Sequence, residues 1–174
     1  MYSPVTHIPY TICFCKAGDK ILMLHRHRPP NQGLWNGVGG KIKDDESIEE
    51  SLHREVFEET GLDIQDALEI RLAGVVSWTG ARDPNNENRG MYAYVVEFPE
   101  SVINNSQETD EGTLQWKPIT WILSHTNTEV TENIPYFLPR MLCHLPPAEY
   151  RCVYDNGVLK EFLIRPWKNQ SIQK

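Results

Sequence analysis

The stretch GKIKDDESIEESLHREVFEETGL, from Gly40 to Leu62, carries six glutamates in 23 residues and predicts a helix with marked ends. Ser47 is a good N-cap because its hydroxyl can accept a hydrogen bond from the first turn. Glu50, three residues later, completes a capping box. Gly61 suits the left-handed residue that commonly ends a helix. The stretch therefore predicts a helix that begins after Ser47 and ends at Gly61.

The predicted helix has one apolar side and one acidic face. Apolar residues recur on it at four-residue spacing: Ile48, Leu52 and Val56. The acidic face consists of Glu55, Glu58 and Glu59, which lie three and four residues apart and so share one side of the helix. Like charges at this spacing are destabilising. Two interpretations compete: a solvated charged surface, or a site for a divalent cation such as Mg²⁺, which prefers carboxylate oxygens.

The whole pattern from Gly40 to Leu62 resembles the Nudix box, the signature of the Nudix hydrolase superfamily, with no departure. The matching positions are Gly40, Glu46, Arg54, Glu55, Val56, Glu58, Glu59, Gly61 and Leu62. Nine specified positions over 23 residues are far more specific than a short motif. Arg54 and Glu58 also stand four residues apart, the spacing of an ion pair on a helix. The resemblance favours the metal site over the solvated surface.

The composition limits the class of protein. The 174 residues suffice for one domain with a proper core, and we expect a single domain over residues 1–174. A hairpin at 149–165 should belong to it, and a tail at 166–174 should be frayed. The net charge of −7 disfavours stable binding to nucleic acid or to an anionic membrane. Without an apolar segment of bilayer length or a signal peptide, the expected location is the cytoplasm.

The remaining elements follow from periodicity and turn residues. Strands are predicted at 8–15, 20–25, 70–78, 91–98, 114–119, 149–154 and 158–164, with loops at 80–90 and 99–112. Asn156-Gly157 is the strongest hairpin signal. A helical turn is predicted at 121–124 and a helix over 131–142, which Pro139 should kink or break. The four cysteines lack the spacing of a zinc site and are expected to be reduced thiols, buried or half-buried.

Two further segments are candidate ligand contacts. His25-Arg26-His27-Arg28 is a basic cluster in an acidic chain: either an exposed strand end, or a contact to phosphate, which the forked donors of Arg26 would suit. The glycine run in 37–40 allows close backbone approach to a ligand. Because this run directly precedes the acidic helix, the Gly39 carbonyl is expected to bind the metal.

Residues outside the box resemble MutT-type enzymes, in particular the group that hydrolyses oxidised purine nucleoside triphosphates. The resemblance covers roughly residues 8–165 and rests on WNGVGGK at 35–41, on Asp110-Glu111 followed by Trp116, and on YFLP at 136–139. It implies an α+β fold, an α/β/α sandwich with a mixed β-sheet between helices. It also implies that the box helix carries the metal ions.

The same resemblance implies the site. The expected ligands of Mg²⁺, or of Mn²⁺, are Gly39, Glu55, Glu58, Glu59 and Glu111. Arg54 would hold the carboxylates in place, Glu46 would support the site, and one of the acids, Glu111 among them, would activate water. Substrate contacts are expected at Arg26, Asn36, Gly39, Gly40, Lys41, Trp116 and Asn133. A carboxylate among other carboxylates should have a raised pKa until metal binds, which would favour activity at mildly alkaline pH.

One departure concerns base recognition. Where the resembling enzymes carry a stacking Trp and two Asp, this chain has about Thr131, Asn133 and Ile134, so recognition of 8-oxoguanine would need other groups. Downstream of the box, Trp78-Thr79 replaces the Pro typical of ADP-ribose hydrolases and the Tyr typical of dinucleoside polyphosphate hydrolases. Both substrate classes are accordingly less expected.

The expected function is Mg²⁺-dependent hydrolysis of a nucleoside triphosphate, with oxidised purine nucleotides such as 8-oxo-dGTP as its specific form, to the monophosphate and pyrophosphate. One alternative is a Nudix pyrophosphatase for a nucleotide sugar, a dinucleoside polyphosphate or a capped RNA end. A more remote alternative is a non-enzymatic nucleotide-binding regulator. The expected partner is a small nucleotide, and the chain is expected to be a monomer or a homodimer.

Overall fold

A computed structural model describes residue 5, residues 7–80 and residues 88–167. Within them the strands are β1 (His7–Ala17), β2 (Lys20–Arg26), β3 (Trp35–Asn36), β4 (Glu69–Thr79), β5 (Arg89–Glu97), β6 (Gln107–Glu108), β7 (Gly112–Pro118), β8 (Ala148–Asp155) and β9 (Val158–Pro166). The α-helices are α1 (Ile48–Thr60), α2 (Ile119–Ile122) and α3 (Ile134–Leu142). Short 3₁₀ turns lie at Ile64–Asp66 and Glu100–Val102.

The strands form one mixed sheet in the order β6-β7-β2-β1-β5-β4-β8-β9, with β3 paired to β2 beside this path. The pairs β1–β5 and β4–β8 are parallel, and the other neighbouring pairs are antiparallel. A separate buried cluster covers each face of the sheet, one against α1 and one against α3. The predicted α/β/α arrangement of α+β class is confirmed.

The alternation of β1 shows how one strand serves both layers. Cys13 and Cys15 point into the cluster under α1, whereas Ile12 and Phe14 point into the cluster under α3. Successive side chains of a strand point to opposite faces, so a continuous apolar run suits a strand buried on both sides. The central position of β1 in the sheet therefore follows from its composition.

Helix α1 has the predicted ends. The Ser47 hydroxyl accepts from the Glu50 N–H at 3.1 Å, and the Glu50 carboxylate accepts from the Ser47 N–H at 2.7 Å. Gly61 closes the helix with φ of 74°, a left-handed conformation. Leu52 and Val56 are buried against the sheet. The capping box, the terminating glycine and the apolar stripe are all confirmed.

Helix α3 departs from the prediction. It begins at Ile134, three residues later than expected, and it continues through Pro139 to Leu142. An interior proline costs a helix about 3 kcal/mol. Four apolar side chains of α3 are almost fully buried, and each contributes about 1.5–3 kcal/mol. The packing of the helix therefore outweighs the cost of its proline.

Two smaller predictions also change. The expected loop at 99–112 contains a 3₁₀ turn and the short strand β6, which pairs with β7. Strand β9 extends to Pro166, and the Trp167 ring contacts Tyr92 at 6.2 Å between centroids, so these first two residues of the expected frayed tail are ordered. Its residues 168–174, and residues 81–87 of the expected loop at 80–90, lie outside the described residues.

All four cysteines are free thiols, but Cys143 is exposed and only the other three are buried. Cys143 directly follows the last turn of α3, where the chain turns away from the core, and this explains the difference. Within 7–80 and 88–167, no helix combines the length and the hydropathy that crossing a bilayer requires.

Candidate active site

The C-terminal half of α1 faces the glycine-rich segment, residues 37–40, which lies along β1. The Cys13 N–H donates to the Val38 carbonyl at 2.6 Å, and the Thr11 N–H donates to the Gly40 carbonyl at 2.9 Å. A Cβ on Gly39, whose φ is 146°, would collide with the backbone of Thr11, and a Cβ on Gly40 would collide with the Glu55 carboxylate. Glycine at both positions therefore lets this backbone lie between β1 and the acidic face.

Glu59 is a half-buried member of the acidic face. Its carboxylate accepts a hydrogen bond from the Gly39 N–H at 3.1 Å. Its pKa is raised to about 7, first by burial and then by the carboxylates of Glu55 and Glu111, while the Gly39 hydrogen bond and Arg26 oppose the rise. The raised pKa expected for a carboxylate in this group is confirmed, and Glu59 is the residue that has it.

Arg54 neutralises the other side of the acidic face. It contacts both oxygens of Glu46, with Nε 2.9 Å from Oε2, and its Nη1 lies 2.7 Å from Glu55 Oε1 and 3.2 Å from Glu58 Oε2. The predicted ion pair with Glu58 is thus present. The bonds from Arg54 hold the pKa of Glu46 at about 2. The same carboxylates raise the pKa of Arg54.

The three acids of α1 differ in exposure and in partners. The Glu58 side chain is 57% exposed, whereas that of Glu55 is 13% exposed and faces the glycine segment. Among the described residues, no three His, Cys, Asp or Glu side chains already surround a common metal position. In this arrangement Glu55 is bonded to Arg54 and Glu59 to the Gly39 N–H.

The ladder between β2 and β7 brings Glu111 and Arg26 together. Arg26 pairs with Gly112, and the His27 N–H donates to the Glu111 carbonyl at 3.0 Å. Both Arg26 and Glu111 act electrostatically on Glu59. The structure therefore brings Arg26 and Glu111, which are more than 80 positions apart, onto one ladder and within electrostatic reach of Glu59.

A second region, the aromatic cluster, lies on the α3 face of the sheet, and of its members the sequence predicted only Asn133 as a substrate contact. It consists of Tyr10, Trp78, Asn133, Cys152 and Tyr154. The rings of Tyr10 and Trp78 stack at 6.4 Å, and Trp78 pairs with Cys152 in the β4–β8 register. The Asn133 amide lies 3.9 Å from the Cys152 sulfur, and burial raises the pKa of the nearby Tyr154.

A signal for this cluster existed in the sequence. Its strand residues face α3 and lie near the ends of their strands. Tyr10 also forms an isolated bridge with Lys41, the residue that follows the glycine-rich segment. Side-chain alternation along the predicted strands would have put these aromatic rings on one face. To group the rings, however, one must also know which strands are neighbours, and this depends on the order of strands in the sheet.

The other predicted contacts have the following surroundings. The Asn36 side chain accepts from the Gly37 N–H at 2.8 Å, and the exposed Lys41 offers its carbonyl to Arg54. Trp116 is buried in the cluster under α1, where its indole N–H donates to Asn104 at 3.3 Å. These contacts give Trp116 a packing role, and its contact with substrate stays a prediction.

The profile of the NUDIX domain family matches residues 6–141. An uncharacterized Nudix hydrolase, YvcI of Bacillus subtilis, is 32% identical over 111 residues, 63% of this chain and 65% of that protein. The NAD-capped RNA hydrolase NudC of Haemophilus influenzae is 30% identical over 110 residues, 62% of this chain and 38% of that protein. The chain thus spans less than two thirds of either curated relative.

Among solved structures, a MutT protein from Bacillus halodurans superimposes with a TM-score of 0.66 at 21% identity. The match covers 91% of this chain and 98% of that one. At this level of identity the similarity establishes a shared fold.

Proposed function

The chain belongs to the NUDIX domain family, and on this premise we propose that it hydrolyses a nucleoside triphosphate to the monophosphate and pyrophosphate. The observation that carries the proposal is that Glu55 and Glu59 lie against the glycine segment, with Glu111 and Arg26 within electrostatic reach of Glu59. Carboxylates in such a group suit a divalent cation, and a guanidinium beside them suits a phosphate chain.

The residues fit Mg²⁺ or Mn²⁺. Their donors are hard oxygens, and the pKa of Glu59 is raised first by burial and then by neighbouring carboxylates, whose charge a bound cation would offset. The residues that would hold the metal are Glu55, Glu58, Glu59, Glu111 and the Gly39 carbonyl. When bound, the ion would offset charge on the phosphate chain and acidify a water molecule.

The side chains of this protein have distinct parts in the reaction. Arg26 binds the phosphate chain, and Arg54 holds Glu55 in place through its hydrogen bond. A water oxygen attacks phosphorus, the bond to the departing pyrophosphate oxygen breaks, and the water proton passes to a carboxylate. Glu59 and Glu111 are the two candidates for this base, because both carboxylates act on the same group of charges.

The aromatic cluster is the proposed site of base recognition. The stacked rings of Tyr10 and Trp78 offer apolar faces, and the buried Asn133 amide can both donate and accept hydrogen bonds. An amide can pair with the edge of a neutral base without the two aspartates of the resembling enzymes. Oxidised purine nucleotides such as 8-oxo-dGTP are the specific substrates that we propose.

A second candidate function is pyrophosphate hydrolysis at a capped RNA end or in another nucleoside diphosphate derivative. It is favoured by the similarity to NudC, an NAD-capped RNA hydrolase. A non-enzymatic regulator is disfavoured, because all nine specified box positions are present.

A substrate panel tests the proposal. The chain is incubated with Mg²⁺ and either 8-oxo-dGTP, dGTP, dATP, ADP-ribose or NAD-capped RNA, and the products are separated by chromatography. We expect monophosphate and pyrophosphate from the triphosphates, with the highest kcat/KM for an oxidised purine. Absence of pyrophosphate from every triphosphate would refute the proposal, and preferential cleavage of the capped RNA would establish the second candidate.

A further inference from the structure

Glu111 lies in the tight turn between β6 and β7, residues 109–112. The backbone closes this turn with two hydrogen bonds, from the Thr109 N–H to the Gly112 carbonyl at 2.8 Å and from the Gly112 N–H to the Thr109 carbonyl at 3.3 Å. Loop tips are generally mobile, and a carboxylate carried on one is poorly placed unless its backbone is held. The contacts around Glu111 hold it from both sides.

The first side is the hydroxyl of Thr109. Its Oγ1 accepts from the Glu111 N–H at 3.2 Å and from the Gly112 N–H at 3.3 Å, and it donates to the Gly112 carbonyl at 3.0 Å. A hydroxyl has one donor and two acceptor positions, so all three are used within this turn. One side chain thus binds the N–H groups of both Glu111 and the residue after it.

The second side is the end of β2. The His27 N–H donates to the Glu111 carbonyl at 3.0 Å. Gly112 pairs with Arg26 and lies so close to the His25 carbonyl that a Cβ there would collide with it. The peptide groups on both sides of the Glu111 side chain are therefore fixed, one by Thr109 and one by the strand that carries Arg26.

We propose that Thr109 is a positioning residue of the active site: its hydroxyl fixes the backbone of Glu111 so that this carboxylate stays beside Glu59 and Arg26. The consequence for turnover rests on the proposed function. Thr113 provides a matched comparison in the same hairpin, because its hydroxyl donates to Glu108 at 2.8 Å and forms none of the bonds described for the Glu111 backbone.

Three variants test the role. Thr109→Val removes the hydroxyl at nearly constant shape, Thr109→Ser keeps it, and Thr113→Val is the control. Displacements of about 1 Å can cost roughly 100-fold in rate, so we expect Thr109→Val to lower kcat about tenfold or more with KM within about twofold. Thr109→Ser and Thr113→Val should stay within about twofold of the wild type in both constants.

Two readouts do not depend on turnover. In metal-free protein, NMR-detected hydrogen exchange at the Glu111 amide should accelerate about tenfold in Thr109→Val and stay unchanged in Thr113→Val. Titration with Mn²⁺ alone should show weaker binding to Thr109→Val.

When Glu111→Gln is combined with Thr109→Val, the loss of kcat should be no greater than in Glu111→Gln alone.

The proposal would be overturned if Thr109→Val kept wild-type turnover and Glu111 exchange, if Thr113→Val were equally impaired, or if Thr109→Ser failed to restore kcat. A wild-type chain that cleaves none of the panel substrates would refute the proposed function instead. Amide exchange and Mn²⁺ titration would then still decide whether Thr109 positions Glu111.

Discussion

Two sides of the box helix hold carboxylates in opposite electrostatic situations. On the Arg54 side, Glu46 shares two hydrogen bonds with the guanidinium, and its pKa falls to about 2. On the Gly39 side, Glu59 has one backbone N–H, is half-buried beside other acids, and its pKa rises to about 7. The first arrangement stabilises the fold. The second leaves negative charge uncompensated where the proposed cation would bind.

The comparison teaches where function and stability separate within one motif. Buried charge without a partner is costly, and polar groups left in that state are commonly found at functional sites. The acids of a single sequence motif therefore cannot be assigned one common role. Substitutions at Glu59, Arg54 and Glu46 test this distinction.

Replacement of Glu59 should have the largest effect, on turnover. Glu59→Gln removes a candidate base and proposed metal ligand, and we expect kcat to fall by about 10²–10⁴-fold. Glu49→Gln, on the exposed first turn of α1, is the matched control and should leave kcat unchanged. Steady-state kinetics on the best panel substrate measure both. Unchanged turnover in Glu59→Gln would show that the Gly39 side is not the active side.

The same variant should stabilise the metal-free protein in a pH-dependent way. The folded pKa of Glu59, about 7, exceeds its ordinary 4.5, so the stability that protonated Glu59 contributes is present below pH 4.5 and lost as the pH rises through 7. Relative to wild type, Glu59→Gln should therefore gain unfolding free energy between pH 5 and pH 8, by at most about 3 kcal/mol. Urea unfolding in EDTA measures this gain, and a constant difference across pH would contradict the raised pKa.

Replacement of Arg54 should show what the opposite side contributes. Arg54→Lys keeps the charge but loses the fork that binds Glu46 and Glu55, so we expect the unfolding free energy to fall by about 1.5–3 kcal/mol. Lys16→Gln is the control, because the Lys16–Glu97 ion pair is partly exposed and such pairs contribute about 0–1 kcal/mol. If the two variants lost equal unfolding free energy, the hydrogen bonds of Arg54 would contribute no more than a surface ion pair.

The smallest effect is expected for Glu46 in acid. Its folded pKa of about 2 lies below the ordinary 4.5, so its contribution to stability is present above pH 4.5 and is lost as the pH falls through 2. Glu46→Gln should thus be less stable than wild type at pH 7, and the difference should shrink towards pH 3. Thermal unfolding over this range measures the difference. If the stability difference between Glu46→Gln and wild type grew as the pH fell, the lowered pKa of Glu46 would be refuted.

The local features of α1 could be predicted because their causes lie within a few residues. The capping bonds of Ser47 and Glu50, the left-handed Gly61 and the ion pair of Arg54 with Glu58 each depend on helical spacing alone. The terminal hairpin at Asn156-Gly157 has the same local origin.

Other features could not be predicted from neighbouring residues. Pro139 stays inside α3 because distant strands bury the apolar side of that helix. The aromatic cluster forms because β1, β4 and β8 lie near one another in the sheet, an order that no local pattern specifies. The turn at Glu111 is fixed by a bond from β2, which precedes it by more than 80 residues.

The acidic stretch from Gly40 to Leu62 by itself determined the helix, its ends and the family to which the chain belongs. Helical spacing alone placed Glu55, Glu58 and Glu59 on one side. The packing of α1 on the sheet leaves Glu59 half-buried at the glycine segment and Glu58 mostly exposed. The physical reason is that spacing sets which way a side chain points, whereas its solvation and charge partners come from segments that the fold brings near.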